Sequence, residues 1–128
     1  MRKYNKGKLR ALILKVSDGT FAVKYVDNSL DAIHRALGYD YFTVSHVTVG
    51  DKRYLVLCDD DGLLKEEPIP SVISSRGAIR LVGNLMFLLE SKDGTEFVSL
   101  GAKDVLSIIG KFEPCIFKDG VQGFVYVE

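Results

Sequence analysis

Apolar and polar residues alternate with period two along much of the chain, and Asp-Gly pairs separate the alternating stretches. Phe21, Val23 and Tyr25 alternate with Ala22, Lys24 and Val26, the pattern of a strand with one face on a core. Leu9 to Val16 is strand-like too. Asp18-Gly19 between them predicts a hairpin, because this pair tolerates positive φ at little cost. The same signal pairs Leu85–Ser91 with Glu96–Leu100 across Asp93-Gly94, and Cys115–Lys118 with Val121–Val127 across Asp119-Gly120. A turn at Gly50-Asp51 joins Tyr41–Val49 to Arg53–Cys58, and a further pair, Asp61-Gly62, follows. In Tyr41–Val49 the alternation shifts phase around His46 (Phe42, Val44, then Val47, Val49), which predicts a bulge there.

Two segments switch to helical spacing. Asn28 or Ser29 caps a stretch with Leu30, Ile33 and Leu37 on one face, and Gly38 sits where a helix ends. Ala102, Val105, Leu106 and Ile109 repeat the pattern before Gly110. Helices of about ten residues do not persist alone in water, so each must rest its apolar stripe on a sheet. Glu66 to Arg76, with Pro68, Pro70 and three serines, reads as an irregular, mobile connection at a sheet edge. The whole predicts an α+β fold: a mainly antiparallel sheet built from hairpins, with two short helices packed on it. Asp-Gly-Thr precedes a strand and a helix in both halves (Asp18-Gly19-Thr20 and Asp93-Gly94-Thr95), which fits either a duplicated ββαββ unit or convergent turn chemistry.

Composition narrows the class. A chain of 128 residues suits one domain, and 47 % hydrophobic with 27 % charged residues suits a globular protein rather than a disordered one. The 17 basic and 17 acidic residues balance, but five bases (Arg2, Lys3, Lys6, Lys8 and Arg10) fall in the first ten positions without an acid. Residues 1–8 therefore read as a basic flexible arm and 9–128 as a single domain. Such an arm is a candidate for nucleic-acid contact. Ala11 to Leu14 is too short for a secretory apolar run of about 7–15 residues. Leu81 to Leu89 falls short of the roughly 20 residues of a membrane span. Both predict a cytoplasmic protein with no membrane partner. In that compartment Cys58 and Cys115, each among apolar neighbours, are expected to be free thiols acting as small buried hydrophobes.

No catalytic signature emerges. His34, His46, Cys58 and Cys115 show none of the close ligand pairs of a zinc site, so neither a metal nor a cofactor is expected. Asp59-Asp60-Asp61-Gly62 resembles the start of a calcium loop, but the twelfth position is Pro70 instead of a bidentate Glu, and an acidic hairpin tip accounts for it. A Cys–His nucleophile would need cations or a helix N-terminus beside the thiol, and the sequence supplies neither. The candidate partner or ligand contacts are three. Tyr39, Tyr41 and Phe42 form an aromatic cluster after the first helix. Pro68 and Pro70 lie in the irregular connection. Gly83-Asn84 interrupts an apolar run, as a strand break or a ligand contact would. A protein partner, or a homodimer through an edge strand, is the expected use.

Four stretches carry a family resemblance. The first is Asp27-Asn28-Ser29-Leu30-Asp31-Ala32-Ile33 with Leu37-Gly38-Tyr39, and the second an acidic turn followed by Gly62-Leu63. Pro68-Ile69-Pro70 comes next, then Val82-Gly83-Asn84-Leu85-Met86-Phe87-Leu88 with Phe97-Val98-Ser99-Leu100. Over Leu9 to Gly110 the chain resembles a family of short proteins of unknown function from phages, plasmids and conjugative elements of Gram-positive bacteria, with residues 111–128 as an addition. The resemblance implies an accessory protein of a mobile element and transfers no catalytic residue. Two positions depart from the family's habit: Cys58-Asp59, where it has an Asn before the acidic turn, and Ser71-Val72, where it has Asn-Arg.

Overall fold

The structure is a computed structural model, and it describes residues 7–16, 18–38, 41–59, 69–117, 120 and 122–127. The first half runs β1 (Lys8–Lys15), β2 (Thr20–Asp27), α1 (Leu30–Leu37), β3 (Phe42–Val49) and β4 (Lys52–Asp59). Two short strands follow, β5 (Pro70–Ile73) and β6 (Ile79–Val82). The second half runs β7 (Leu85–Glu90), β8 (Phe97–Val98), α2 (Ala102–Ile109), β9 (Glu113–Ile116) and β10 (Gln122–Val127). All pairings are antiparallel except that of β10 with β5.

The main sheet has the order β2-β1-β7-β4-β3, with β8 paired to the end of β7. The β1–β2 and β3–β4 hairpins thus lie on either side of β7, a strand from much later in the chain. A second sheet, β6-β5-β10-β9, packs on one face together with α2, and α1 packs on the other. Both faces of the central strands β1, β7 and β4 are therefore buried. On one, Leu12, Leu14, Val56, Leu85 and Phe87 meet Val72, Leu81, Ile108 and Phe112. On the other, Ala11, Ile13, Leu55, Leu57, Met86 and Leu88 meet Ile33 and Leu37 of α1. Double coverage explains why Ala11–Leu14 and Leu85–Leu88 are continuous apolar runs instead of alternating ones.

The same coverage corrects the expected bulge at His46. β3 pairs with β4 in unbroken register from Phe42 opposite Asp59 to Val49 opposite Lys52. Phe42 serves the α1 side, and Val47 and Val49 serve the other. The change of parity marks a change of covered face, with no extra residue.

The helices form where expected, but their buried faces are rotated. Ser29 caps α1 through its side chain, which accepts from the Ala32 N–H at 3.2 Å, and Gly38 closes it at φ 87°. The α1 core contacts are Ala32, Ile33 and Leu37, while Leu30 is 65 % exposed. In α2 the buried residues are Asp104, Val105 and Ile108; Leu106 is 72 % exposed and Ala102 also faces solvent. The expected stripe was displaced because Asp104, a polar residue, takes an inward position. A third correction concerns Glu66–Arg76. Its described part contains β5 and leads into a turn at Ser74–Gly77, and Ser71 and Val72 are fully buried. Pro70 is tolerated because it opens the strand.

The element order ββαββ occurs twice, but the two copies are wired differently. The first places all four strands in the main sheet; the second gives β7 and β8 to that sheet and β9 and β10 to the other. The C-terminal hairpin belongs to the core: Phe124 packs edge-on against Phe21 at 5.5 Å, and Phe112 is buried beside Phe87.

Candidate functional site

A groove of about 740 Å³ lies between the β1–β2 turn and the β9–β10 hairpin. The turn supplies Val16, Asp18 and Gly19, and Gly19 takes φ 66° there. The hairpin supplies Pro114, Cys115, Ile116, Gln122, Gly123 and Phe124. Gly123 is required on packing grounds, since a Cβ there would stand 2.8 Å from the Phe117 ring. Ile116 is exposed and the Cys115 thiol half-buried, in contrast to the buried Cys58. An apolar wall with a carboxylate and an amide at its rim suits a ligand or side chain that is largely apolar with one polar end. The volume lies within the usual range of small-molecule sites.

A smaller groove, about 340 Å³, runs between the β3–β4 turn and α2 and is floored by Tyr54 and Asp104. Asp104 Oδ1 accepts from Lys52 Nζ and from the Tyr54 hydroxyl, both at 2.8 Å, and Oδ2 accepts from the Gly101 N–H at 2.8 Å. Burial pushes this carboxyl upward, but the bonds from Lys52, Gly101 and Tyr54 outweigh it and hold it below the usual carboxylate range. Burial, then the bond and charge of Asp104 and the charge of Asp51, push the Tyr54 phenol far above its usual range. A phenol held neutral on a carboxylate that accepts from three donors suits a structural pin between β4 and α2. Sequence reasoning missed it, although two signals were present. An acid three residues after Gly101 can reach back to the helix's first N–H, and a tyrosine inside an apolar strand needs a hydrogen-bond partner.

His46 Nε2 lies 2.8 Å from Glu90 Oε1, a half-buried pair between β3 and β7. His34 stacks edge-on against Phe42 at 5.1 Å. Among the described residues no group of three or more His, Cys, Asp or Glu side chains gathers in a metal-binding arrangement.

The residues singled out in the sequence are dispersed. Tyr41 is 70 % exposed before β3, and Phe42 is partly buried against α1. Tyr39 and Pro68 lie outside the described residues, as do Asp61-Gly62 and Asp119. Pro70 opens β5 opposite Val82. Gly83-Asn84 is the crossing between sheets. Gly83, at φ 76°, donates to Ile69 O at 2.8 Å, and Asn84 Oδ1 accepts from the Val16 N–H at 3.0 Å. The pair ends β6 and starts β7, a strand break with its own bonds. Of the basic residues, Arg2, Lys3 and Lys6 lie outside the described residues. Lys8 opens β1, 3.9 Å from Asp27; Arg10 donates to Leu100 O at 3.0 Å and covers the Tyr25 ring. No helix among the described residues is long and apolar enough to cross a membrane.

The family model for a domain of unknown function (DUF3846) matches residues 9–113. No curated protein and no solved structure matches the chain.

Proposed function

We propose that this chain, which belongs to the DUF3846 family, is a non-enzymatic binding protein, an accessory of a mobile element that holds a protein partner or small ligand. The observation that carries this is the groove between the β1–β2 turn and the β9–β10 hairpin. It joins exposed Ile116 and half-buried Cys115 to a polar rim of Asp18 and Gln122, the makeup of a binding cleft. The mobile-element role draws on the resemblance of the stretches around Asp27–Ile33 and Val82–Leu88 to proteins of such elements. Native mass spectrometry of the full chain, purified from its own host, tests the proposal. The expected result is a bound species whose mass disappears in Ile116→Glu, with the circular-dichroism melt unchanged. A bare chain mass in the wild type, or a bound species indifferent to Ile116→Glu, overturns it.

A second reading, nucleic-acid association through the N-terminal residues, is favoured by the five bases in the first ten positions. It predicts affinity for a 20-nucleotide single strand that falls steeply with salt, through release of about one counterion per phosphate contact, and that vanishes when residues 1–8 are deleted. Salt-independent binding, or none, removes it.

A further inference from the structure

Four strands end the two sheets, and three of them are blunted against further pairing. On β3, the outward carbonyls of His46 and Thr48 accept from Arg80 Nη2 at 3.4 Å and from the Tyr126 hydroxyl at 2.8 Å. β9 contains Pro114, which offers no N–H. β6 is four residues long and pairs irregularly with β5. β2 has none of these features: it runs eight residues in continuous register with β1.

The direction of its free backbone groups follows from β1. Arg10 lies opposite Tyr25, and its N–H and C=O bond Ser99 Oγ at 2.9 Å and the Leu100 N–H at 3.0 Å, on the side away from β2. Opposite residues in such a position share no ladder bonds. The backbone groups of Tyr25, and with period two those of Val23 and Phe21, therefore point out of the sheet. Among the described residues nothing bonds them. Val23 is 44 % and Tyr25 61 % exposed beside this open row, with the Arg10 guanidinium 5.8 Å from the Tyr25 ring, and Lys24 stands exposed on the opposite face. The hairpin's charge is one-sided as well: β1 and β2 hold four bases (Lys8, Arg10, Lys15 and Lys24) against one acid (Asp27).

We infer that β2 takes up an extended acidic peptide segment as an added strand, a second binding surface distinct from the groove. The segment's backbone completes the ladder at Phe21, Val23 and Tyr25. Its apolar side chains lie on Val23 and Tyr25, and its carboxylates meet Lys24 and the surrounding bases. A nucleic-acid strand shares the charge but has no row of amides to match the edge, so the geometry favours a peptide.

The probe is a fluorescein-labelled nonapeptide of alternating glutamate and valine, followed by anisotropy with the full chain. Val23→Pro removes an outward N–H without a ladder bond to β1, so the fold is kept while strand addition is blocked. Expected are at least tenfold weaker binding in Val23→Pro, weaker binding again in Lys24→Glu, and unchanged affinity in Ile116→Glu. Circular-dichroism melts check each fold, and Lys24→Glu, a surface change, keeps the test open should Val23→Pro destabilise. Peptide binding indifferent to both β2 variants overturns the inference, as does absence of binding. Binding of a 20-nucleotide strand in place of the peptide overturns it in favour of nucleic acid. A dimer in sedimentation that Val23→Pro splits overturns it in favour of a second copy. Failure here with a bound species still lost in Ile116→Glu leaves the groove proposal standing, and the converse pattern separates them the other way.

Discussion

Replacing Asp104 with alanine removes the acceptor for three donors at once, and each loss can be weighed. The Tyr54 hydroxyl is the largest, because the side chain is almost wholly buried; a buried donor left without an acceptor costs about 1–3 kcal/mol. The Gly101 N–H loses the carboxylate that caps the first turn of α2, worth about 0.5–2 kcal/mol. Lys52 is half exposed and rehydrates, so its share is at most about 1 kcal/mol. Asp104→Ala should therefore cost about 1.5–6 kcal/mol, a large part of the roughly 5–15 kcal/mol of a domain this size. Tyr54→Phe leaves the carboxylate with two donors and should cost only about 1–2 kcal/mol. In the double variant the phenol's penalty has already gone, so the two costs should fall short of additivity by about 1–2 kcal/mol. Urea denaturation of the four proteins, with slopes compared, measures this. The linkage also has a sign. The folded carboxyl is held below its unfolded value, so its contribution is complete above about pH 4 and fades as pH falls through the folded value; Asp104→Asn should abolish that portion of acid sensitivity. A cost below about 1 kcal/mol for Asp104→Ala, or strict additivity with Tyr54→Phe, refutes the pin.

Further outcomes follow from the packing. Ile33→Ala should cost about 2–5 kcal/mol in chemical denaturation, whereas Leu30→Asp, on the exposed side of the same helix, should change stability by no more than about 0.5 kcal/mol. Gly83→Ala forces a side chain into φ 76° at the sheet crossing and should cost about 1–2 kcal/mol. Gly123→Ala drives a methyl into the Phe117 ring and should cost about 1–3 kcal/mol by the same assay. A thiol reagent applied to the native protein should label Cys115 promptly and Cys58 only on unfolding; mass spectrometry of digested samples reads both. Truncation after residue 113 removes β10, the parallel partner of β5, and Phe124 from the Phe21–Phe112 cluster; the product should lose its cooperative thermal transition.

Local chemistry in the sequence was informative wherever one residue type has one strong reason to be present. Gly38 and Ser29 fixed the ends of α1, and Asp18-Gly19 and Gly50-Asp51 marked hairpins that form. Periodicity misled where a position answers to two demands. Leu106 continues an apolar stripe on paper, but Asp104 turns inward to meet Tyr54 and rotates α2 about its axis. Phe42 and Val47 serve opposite faces of a sheet covered on both, which imitates the signature of a bulge. The insertion of β7 between two hairpins made earlier in the chain left no trace in local pattern, because pairing over such a distance is decided by which apolar strand fits between Leu12–Leu14 and Leu55–Leu57. The proposed sites suffered in the same way. The groove needs a turn near residue 18 to meet a hairpin near residue 120, and no spacing rule joins them.

The boundary of the family match runs through the groove. Residues 9–113 hold the main sheet, both helices, β5 and β6, but β10 lies beyond them, and so does all of β9 after Glu113. The matched part alone would leave β5 without its partner on one side and Phe21 and Phe112 without Phe124. The C-terminal hairpin closes that opening and, in doing so, raises one wall of the groove, while the other wall, at Val16, Asp18 and Gly19, belongs to the matched part. β2, in contrast, lies wholly inside the match. The β2 edge is therefore built wholly from matched residues, whereas the groove draws Cys115, Ile116 and Phe124 from beyond them.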